Sequence, residues 1–354
     1  MPSTHVPTVM KAAVMHQLRE ISIEEIPVPQ IKSDEVLIKV MAVGICGSDL
    51  HYYDHGRIGP YIVEGSFILG HECAGEIVDI GDDVHTLRIG DRVAIEPGVT
   101  CGVCEMCKAG RYNLCPNVEF LATPPYDGAF VQYLKIRQDF AFLIPDHLSY
   151  EEAALVEPFS VGIHAAARSK LQPGSTIAIM GMGPVGLMAV AAAKAYGASK
   201  IIVTDLEPLR LDAAKKMGAT HVINVLEQDA IEAIQTITNG VGVDTAWETA
   251  GSPKALQAAL GSLRRGGKLA IVGLPAQAEI PINIPFIADN EVDIYGVFRY
   301  ANTYPKGIEF LSSGQIDASV LVTDKYPLEQ TYEAMERALN HKSECLKVVV
   351  YPNA

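Results

Sequence analysis

The sequence lacks a continuous apolar run long enough to cross a membrane. Its most apolar stretch, residues 176–196, is interrupted by glycines and a proline, whereas a transmembrane helix needs about 20 consecutive apolar residues. The first residues, MPSTHVPTVMKAAVMHQ, also lack the apolar core behind a basic end that marks a secretory signal. We therefore expect a cytoplasmic protein.

Positive charge is scarce as well. The chain has 28 Lys and Arg against 42 Asp and Glu, which gives a net charge of −14. Nucleic acids and anionic membranes are bound through clustered Lys and Arg, so this composition argues against both as main partners. A small phosphate-bearing ligand is not excluded, because backbone amides can hold it.

The length and the cysteines narrow the class further. A chain of 354 residues with 49% hydrophobic residues has enough apolar material for two domains. Its seven cysteines are an odd number and are partly clustered. In an enzyme of the cytosol, such clusters are more often metal ligands than disulfides.

The pattern of residues changes near residue 160. Before that point, short β-rich runs alternate with Gly and Pro, which predicts a β-rich domain. These runs are KAAVM (11–15), VLIKVMAV (36–43), EIVDIG (76–81) and DRVAIEP (91–97).

Beyond residue 160, apolar strands alternate with amphipathic helices, the pattern of a doubly wound parallel sheet. The predicted strands are 176–180, 201–205, 221–225, 243–251, 268–273 and 293–298, and LQAALGSLRRGG is assigned to a helix. Two helical patterns and a terminal strand (345–352) follow. We therefore expect an α/β two-domain fold: a β-rich domain over 1–160 with a metal-binding lobe at about 99–117, a nucleotide-binding domain over 161–298, and a return to the first domain over 299–354.

The segment GMGPVG at 181–186 matches the G-x-G-x-x-G pattern after an apolar strand and at the start of a helix. In that context it predicts a dinucleotide-binding loop. Gly181 would allow the tight turn, Gly183 would let the backbone approach a pyrophosphate, and Gly186 would let the helix pack on the strand. The helix N-terminus would add amide donors and a partial positive charge.

Asp205 ends the next strand, about 20 residues after this loop. A carboxylate there accepts hydrogen bonds from the adenosine ribose and repels a 2′-phosphate, which favours NAD over NADP. Two alternatives stay open. An aspartate at this place also serves as a helix N-cap, and Arg210 would tolerate the phosphate.

Four cysteines lie in CGVCEMCKAGRYNLC: Cys101, Cys104, Cys107 and Cys115. Two short turns and one longer loop can direct four thiolates to the corners of a tetrahedron, as zinc requires. A four-thiolate site is closed to substrate, so we predict a structural zinc. An iron–sulfur cluster is the competing interpretation.

Three further segments gather titratable side chains: GICGSDLHYYDHG (44–56), LGHECAGE (69–76) and LVEPFSVG (155–162). An exposed polar loop would explain the first segment alone. Taken together, the three segments offer the cysteine, histidine and carboxylate ligands of a metal site.

A catalytic zinc takes about three protein ligands and keeps one position open. Cys46, His71 and Glu72 are the candidate ligands, and Glu157 either ligates the zinc or holds its water. A lone cysteine or histidine is otherwise an ordinary core residue. We interpret the two remaining cysteines in that way: Cys73 and Cys345.

In this order, GICGSDLHYY, GHECAGE, the four-cysteine lobe and GMGPVG resemble the zinc-dependent medium-chain alcohol dehydrogenases over nearly the whole chain. YNLCPNVEFLATPPYDGAF, ALVEPFSVGIHA and GVFRYANTYP resemble the polyol (sorbitol) dehydrogenase branch, its bacterial members most closely. Many zinc alcohol dehydrogenases have a cysteine where this chain has Glu157, which leaves the third ligand open between Glu72 and Glu157. Some animal members of the branch lack the lobe cysteines, all four of which are present here.

The resemblance implies a GroES-like catalytic domain, a Rossmann domain that binds NAD, one catalytic and one structural zinc per chain, and a homotetramer or dimer. It implies oxidation of a polyol such as sorbitol or xylitol to the ketose, with hydride transfer to NAD+. L-arabinitol, xylitol and butanediol dehydrogenases are alternatives on the same scaffold.

The resemblance also implies roles for individual residues. Ser48 and His51 would conduct the alcohol proton, and Glu157 would act at the zinc. The polyol pocket would contain Tyr52, Phe120, Thr123, Glu157, Arg299 and Tyr300. The residues at NAD, beyond the glycines of the loop, would be Val185, Asp205, Arg210, Val272, Gly273, Leu274, Val297, Phe298 and Arg299.

Two other classes remain open. A zinc-free NADPH quinone or enoyl reductase on the same fold would not need Cys46, His71, Glu157 or the cysteine lobe, and Asp205 argues against it. A non-catalytic, NAD-binding redox sensor would hold about one zinc per chain, whereas the enzyme would hold two.

Overall fold

The computed structural model describes residues 6–275, 277 and 279–354. Its contacts divide the chain into two compact units. The first unit runs to Glu157 and resumes at Tyr304–Ser312 and Val322–Ala354, and the second comprises Pro158–Thr303 and Ser313–Leu321. The limits of the functional domains stay a prediction.

The first unit is rich in short strands, as the alternation of apolar runs with Gly and Pro predicts. Its N-terminal elements are β1 (Val9–Gln17), β2 (Glu20–Pro27), β3 (Glu35–Gly44), α1 (Gly47–His55), β4 (Arg57–Ile58), β5 (Tyr61–Ile62), β6 (Phe67–Ile68), β7 (Glu72–Ile80), β8 (Arg92–Ile95), β9 (Gly98–Val99), α2 (Glu105–Lys108), β10 (Glu119–Phe120), β11 (Tyr133–Arg137), β12 (Ala141–Leu143) and α3 (Tyr150–Ala154).

The second unit alternates strands and helices. After α4 (Val156–Arg168), which starts at the end of the first unit, its elements are β13 (Thr176–Met180), α5 (Pro184–Ala195), β14 (Lys200–Asp205), α6 (Pro208–Met217), β15 (His221–Asn224), α7 (Ala230–Ile237), β16 (Val243–Glu248), α8 (Pro253–Gly261), β17 (Leu263–Ile271), α9 (Ile284–Asp289) and β18 (Asp293–Gly296). The chain then supplies α10 (Tyr304–Ser312), β19 (Val322–Pro327), α11 (Thr331–Asn340) and β20 (Lys347–Tyr351) to the first unit.

The main sheet of the first unit has the strand order β12-β8-β7-β3-β20-β19, with β11 also paired to β3. The central strands β3 and β7 run antiparallel and carry apolar residues on both faces, so both faces of the sheet are covered. The C-terminal β20 pairs antiparallel with the end of β3, where Val349 lies opposite Gly44. This pairing joins the end of the chain to the segment just before Cys46.

The sheet of the second unit is parallel, with the strand order β15-β14-β13-β16-β17-β18. The order reverses between β13 and β16, and ligands of such sheets bind at the carboxyl ends of the strands at this point. GMGPVG follows β13 directly. Below it, Trp247 is fully buried and its Nε1 donates to Ser169 Oγ at 3.0 Å.

Most predicted strands are present, with shifted ends. The assignment of LRRGG to a helix is wrong: α8 ends at Gly261, and β17 begins at Leu263 because these residues pair with β16. The predicted strand 243–251 ends at Glu248, whose carboxylate accepts from Ala250 N at 2.9 Å in the following turn. Among the residues that the structure describes, every helix is too short or too polar to span a bilayer.

Gly75 lets β7 approach β3 closely. A Cβ on Gly75 would overlap Lys39 O and lie 2.7 Å from Ile38 Cγ2. Gly75→Ala should therefore lower the free energy of unfolding by about 1–3 kcal/mol, measured by urea denaturation. Gly296→Ala in β18, where the new Cβ meets nothing within 4 Å, should stay within about 0.5 kcal/mol of the wild type. Equal effects of the two changes would contradict this packing.

Candidate active site and metal centres

The start of α1 fixes the position of Cys46. Cys46 is the N-cap residue of α1, with extended backbone angles of −94° and 159°. Asp49, in the first turn, accepts a hydrogen bond from Cys46 N at Oδ2, at 2.9 Å. The carboxylate thus returns to the N-cap backbone as in a capping box, which fixes the turn that carries the thiol.

The same carboxylate also reaches the second ligand segment. Asp49 is fully buried, and its Oδ1 accepts from Gly70 N at 2.9 Å and lies 3.5 Å from His71 Nδ1. One side chain therefore connects α1 to the segment that precedes β7. The sequence analysis missed Asp49, although its place three residues after Cys46 is a capping-box signal.

Three of the predicted ligands come together. The thiol of Cys46, a ring nitrogen of His71 and a carboxylate oxygen of Glu72 all lie within 4.8 Å of one another. Glu157 is also buried but lies outside this group, and its charge raises the pKa of Lys347.

The residues of this group fit a zinc ion. Glu72 Oε1 is buried without a hydrogen-bond partner among the described residues, and buried polar atoms are normally satisfied. A thiolate, an imidazole and a carboxylate are also a donor set that zinc accepts.

The electrostatics of the group favour a cation. Burial lowers the pKa of His71, but Asp49 and Cys46 outweigh it, so the pKa of His71 lies well above its usual value. Burial raises the pKa of Asp49, but His71 and the amides of Cys46 and Gly70 hold it below the usual value. The negative potential that raises the pKa of His71 also favours a metal cation, which would displace the proton.

Lys347 is a fully buried lysine beside this group. Its Nζ contacts the carboxylate of Glu72 and donates to Ile45 O at 2.9 Å. Burial lowers the pKa of Lys347, but Glu72 and Cys46 raise it above the usual value, so the ammonium stays charged. Gly44 provides the space, because a Cβ there would overlap the Glu72 carboxylate and lie 2.8 Å from Lys347 Cε. The sequence analysis missed Lys347, whose only signal is a charge inside the apolar strand CLKVVVYP.

Lys347→Met should leave the Glu72 carboxylate buried without its counter-charge. We expect the free energy of unfolding to fall by about 3–5 kcal/mol in urea denaturation, and the double variant Lys347→Met/Glu72→Gln to recover part of the loss. Lys325, on β19, is the matched control. It pairs with Glu151 of α3 and its side chain is 59% exposed, so Lys325→Met should lower the free energy of unfolding by at most about 1 kcal/mol. A loss in Lys347→Met no larger than in the control would contradict the role of Lys347.

The predicted proton-path and pocket residues of the first unit lie on α1 and in or just after β10. Ser48 is half-buried and His51 is exposed, one turn further along α1. Burial, followed by the charges of His55 and Lys342, lowers the pKa of His51. Tyr52 and Phe120 are buried, and the ring of Phe120 lies 5.7 Å from that of His71. Thr123 lies three residues after Phe120, and its backbone N–H donates to Phe120 O at 3.1 Å.

The four lobe cysteines form a second cluster. The sulfurs of Cys101, Cys104, Cys107 and Cys115 all lie within 4.8 Å of one another, and none is in a disulfide. Cys104 caps α2 and accepts from Cys107 N at 3.5 Å. Backbone N–H groups of Val103 and Cys104 lower the pKa of Cys101 to about 6. Four thiols that converge without oxidation are the donor set of a closed zinc site.

A buried carboxylate connects the lobe to the β-rich unit. Glu96, just after β8, accepts from Tyr112 Oη at 2.8 Å, and Tyr112 belongs to the short 3₁₀ turn before Cys115. Burial raises the pKa of Glu96, Tyr112 opposes the rise, and the charge of Glu157 adds to it, so the pKa reaches about 7. The sequence analysis did not single out either residue.

The raised pKa of Glu96 predicts a pH-dependent stability. The folded state holds the proton more tightly than the unfolded chain, so this contribution is complete below about pH 4.5 and is lost as the pH rises to about 7. Glu96→Gln removes it while keeping an acceptor for Tyr112. The stability of Glu96→Gln relative to the wild type should therefore rise between pH 5 and pH 8, by up to about 3 kcal/mol, in denaturation at several pH values. A difference that does not change with pH would contradict the raised pKa.

The loop after β13 has the geometry of a phosphate-binding turn. Gly181 has a φ of +94°, which favours glycine. A Cβ on Gly186 would overlap Gly181 O, whereas one on Gly183 would meet nothing within 4 Å. Packing therefore explains the first and third glycines of the pattern, and the open space at Gly183 is where a pyrophosphate would approach.

Asp205 is held at the end of β14 by three backbone amides. Its carboxylate accepts from Met182 N at 2.6 Å, Leu206 N at 2.8 Å and Glu207 N at 2.9 Å. Asp205 is not the N-cap of α6, which is Glu207, but its three hydrogen bonds fix its place next to the glycine loop. Arg210 is half-buried in α6, and its Nε has no hydrogen-bond partner among the described residues.

The other predicted cofactor and substrate residues of the second unit lie around two strand ends. Val185 lies in the first turn of α5, and Val272, Gly273 and Leu274 follow β17. Val297, Phe298, Arg299 and Tyr300 follow β18; Arg299 has a φ of +51°, and its guanidinium lies over the Phe298 ring at 4.8 Å. Tyr300 is buried. The roles of these residues stay predictions.

Comparison with protein families decides the class. Residues 32–146 match the alcohol dehydrogenase GroES-like domain, and residues 184–313 match the zinc-binding dehydrogenase domain. The chain belongs to the zinc-binding dehydrogenases. The predicted two-domain α/β fold and the dependence on zinc and NAD are confirmed at the level of this family.

Individual relatives of this zinc-binding dehydrogenase cover its whole length. It is 78% identical to a sorbitol dehydrogenase of Bacillus subtilis (strain 168) over 351 residues, 99% of both chains. A sorbitol dehydrogenase of Mus musculus is 42% identical over 341 residues, 95% of this chain and 94% of the relative. These relatives confirm the predicted resemblance to the polyol branch.

Solved structures agree with these relatives. An Escherichia coli oxidoreductase of unknown specificity superposes with a TM-score of 0.93 at 42% identity, covering 97% of this chain and 99% of that one. The 2R,3R-butanediol dehydrogenase of Bacillus subtilis has a TM-score of 0.88 at 34% identity, covering 97% and 100%.

Proposed function

We propose that this zinc-binding dehydrogenase oxidises sorbitol or a closely related polyol to the ketose and transfers the hydride to NAD+. The observation that carries the proposal is the 78% identity to a sorbitol dehydrogenase along 99% of the chain. The grouping of Cys46, His71 and Glu72 supports it, because this set supplies the ligands of an open zinc site.

Cys46, His71 and Glu72 would hold the catalytic zinc, and Glu157 would hold a water or a substrate hydroxyl. A zinc ion in such a site stabilises an oxyanion and so lowers the pKa of an alcohol, as it lowers that of water from 15.7 to about 7. The buried Lys347 shares the charge of Glu72 and limits how much negative charge this carboxylate donates to the site.

The residues of α1 would carry the proton away. Ser48 is half-buried and His51 is exposed on the same helix, an order of exposure that such a path to solvent would need. The lowered pKa of His51 keeps its imidazole neutral and able to accept a proton near neutral pH.

The pocket would recognise a polyol through the polar side chains of Tyr52 and Glu157. Groups that a simple alcohol leaves unpaired would penalise that alcohol, so sorbitol or xylitol should be turned over much better than ethanol. Phe120 and Thr123 would line the same pocket beside His71.

The second unit would bind NAD at the glycine loop, with Asp205 at the adenosine ribose. The three amides that hold the Asp205 carboxylate fix its position, and its negative charge would repel the 2′-phosphate of NADP. The four lobe cysteines would hold a structural zinc. We further propose a cytoplasmic homotetramer or dimer.

A substrate panel with zinc quantitation tests this function. We expect kcat/KM for sorbitol with NAD to exceed the value for ethanol by at least about 100-fold, because buried polar groups would stay unpaired with ethanol. We also expect two zinc ions per chain, and about one in Cys46→Ala together with loss of turnover. A preference for 2,3-butanediol over sorbitol would assign the chain to the alternative activity. Wild-type turnover in Cys46→Ala would overturn the zinc site.

A further inference from the structure

The exposed face of α1 carries a pair of histidines outside the zinc group. His51 and His55 are four residues apart, the spacing that places two side chains on one face of a helix. Their ring centroids lie 5.9 Å apart, with the rings tilted by 49°. Of the ten histidines in the sequence, these two alone are separated by four residues.

Both imidazoles are accessible. His51 is exposed, and the side chain of His55 is 62% exposed. The helix ends directly after the pair, because Gly56 adopts a left-handed conformation with a φ of +70°.

The charges around the pair are mixed. Asp54 lies between the two histidines in sequence, and its carboxylate is 3.5 Å from His55 Nε2. The charge of Lys342, just after α11, lowers the pKa of His51, whereas the charge of Asp54 raises it. The lowered pKa of His51 favours its neutral imidazole, the form that binds metals.

We propose that His51 and His55 form a bidentate imidazole site for a divalent transition metal of the Ni²⁺, Cu²⁺ or Zn²⁺ type. Imidazole pairs suit these borderline ions, and their affinities follow the order Cu²⁺ above Ni²⁺ and Zn²⁺. Water completes the coordination, because the site is open to solvent. The site is separate from the buried group at Cys46 and from the cysteine lobe.

If His51 carries the alcohol proton, metal binding at this site regulates the enzyme. This step rests on the proposed function. A metal that occupies the lone pair of His51 prevents it from accepting the alcohol proton. Free metal ions therefore inhibit the reaction without displacing either resident zinc.

Retention of the untagged, zinc-loaded enzyme on an immobilised Ni²⁺ column tests the site. The wild type should be retained and should elute with imidazole. His55→Gln should lose retention, since loss of one of two ligands weakens metal affinity by about 10-fold or more. His85 is the matched control, because it is an exposed histidine on a loop outside α1. His85→Gln should be retained like the wild type. Equal retention of wild type and His55→Gln, or no retention of the wild type, overturns the site.

A second measurement separates the site from the role of His51. Soluble Ni²⁺ is titrated into the polyol assay, and zinc content is measured before and after. Inhibition of the wild type at constant zinc content, with at least about a tenfold higher inhibitory concentration for His55→Gln, supports both the site and the relay. Column retention that depends on His55, without inhibition, supports the metal site and contradicts the relay role of His51.

Discussion

The buried carboxylate of Asp49 is the constraint on which the arrangement of the site depends. It accepts hydrogen bonds from Cys46 N and Gly70 N and lies beside His71 Nδ1. Two segments that are separated in the sequence, the start of α1 and the residues just before β7, are thereby held in one orientation. A ligand set of this kind needs such support, since side chains hydrogen-bonded to metal ligands orient them and set their basicity.

A second constraint is charge. Buried charges are costly unless they are paired, and this site gathers Asp49, Glu72 and Glu157 with a single buried lysine. Lys347 reaches Glu72 because β20 pairs with the end of β3, and Gly44 leaves the space for that contact. The C-terminal strand therefore contributes to the chemistry of a site whose ligands come from the first quarter of the chain.

Local patterns predicted much of this molecule. The alternation of apolar strands and helices indicated the parallel sheet, and the ligand types at Cys46, His71 and the lobe cysteines indicated metal chemistry. The sequence analysis missed Asp49 and Lys347 because their importance arises from contacts with residues far away in the sequence. The helix assigned to LRRGG was wrong for the same reason: pairing with β16 outweighs the local preference of these residues. The choice between Glu72 and Glu157 also depends on tertiary geometry, which groups Glu72 with Cys46 and His71.

The central claim is that Cys46, His71 and Glu72 coordinate one zinc ion, in addition to the zinc ion of the cysteine lobe. Anomalous diffraction at wavelengths on either side of the zinc absorption edge, from crystals of the metal-replete protein, tests it most directly. The account predicts two zinc peaks per chain, one of them about 2.3 Å from the Cys46 sulfur. A single peak in the cysteine lobe, with Cys46 and His71 free of metal, would contradict it.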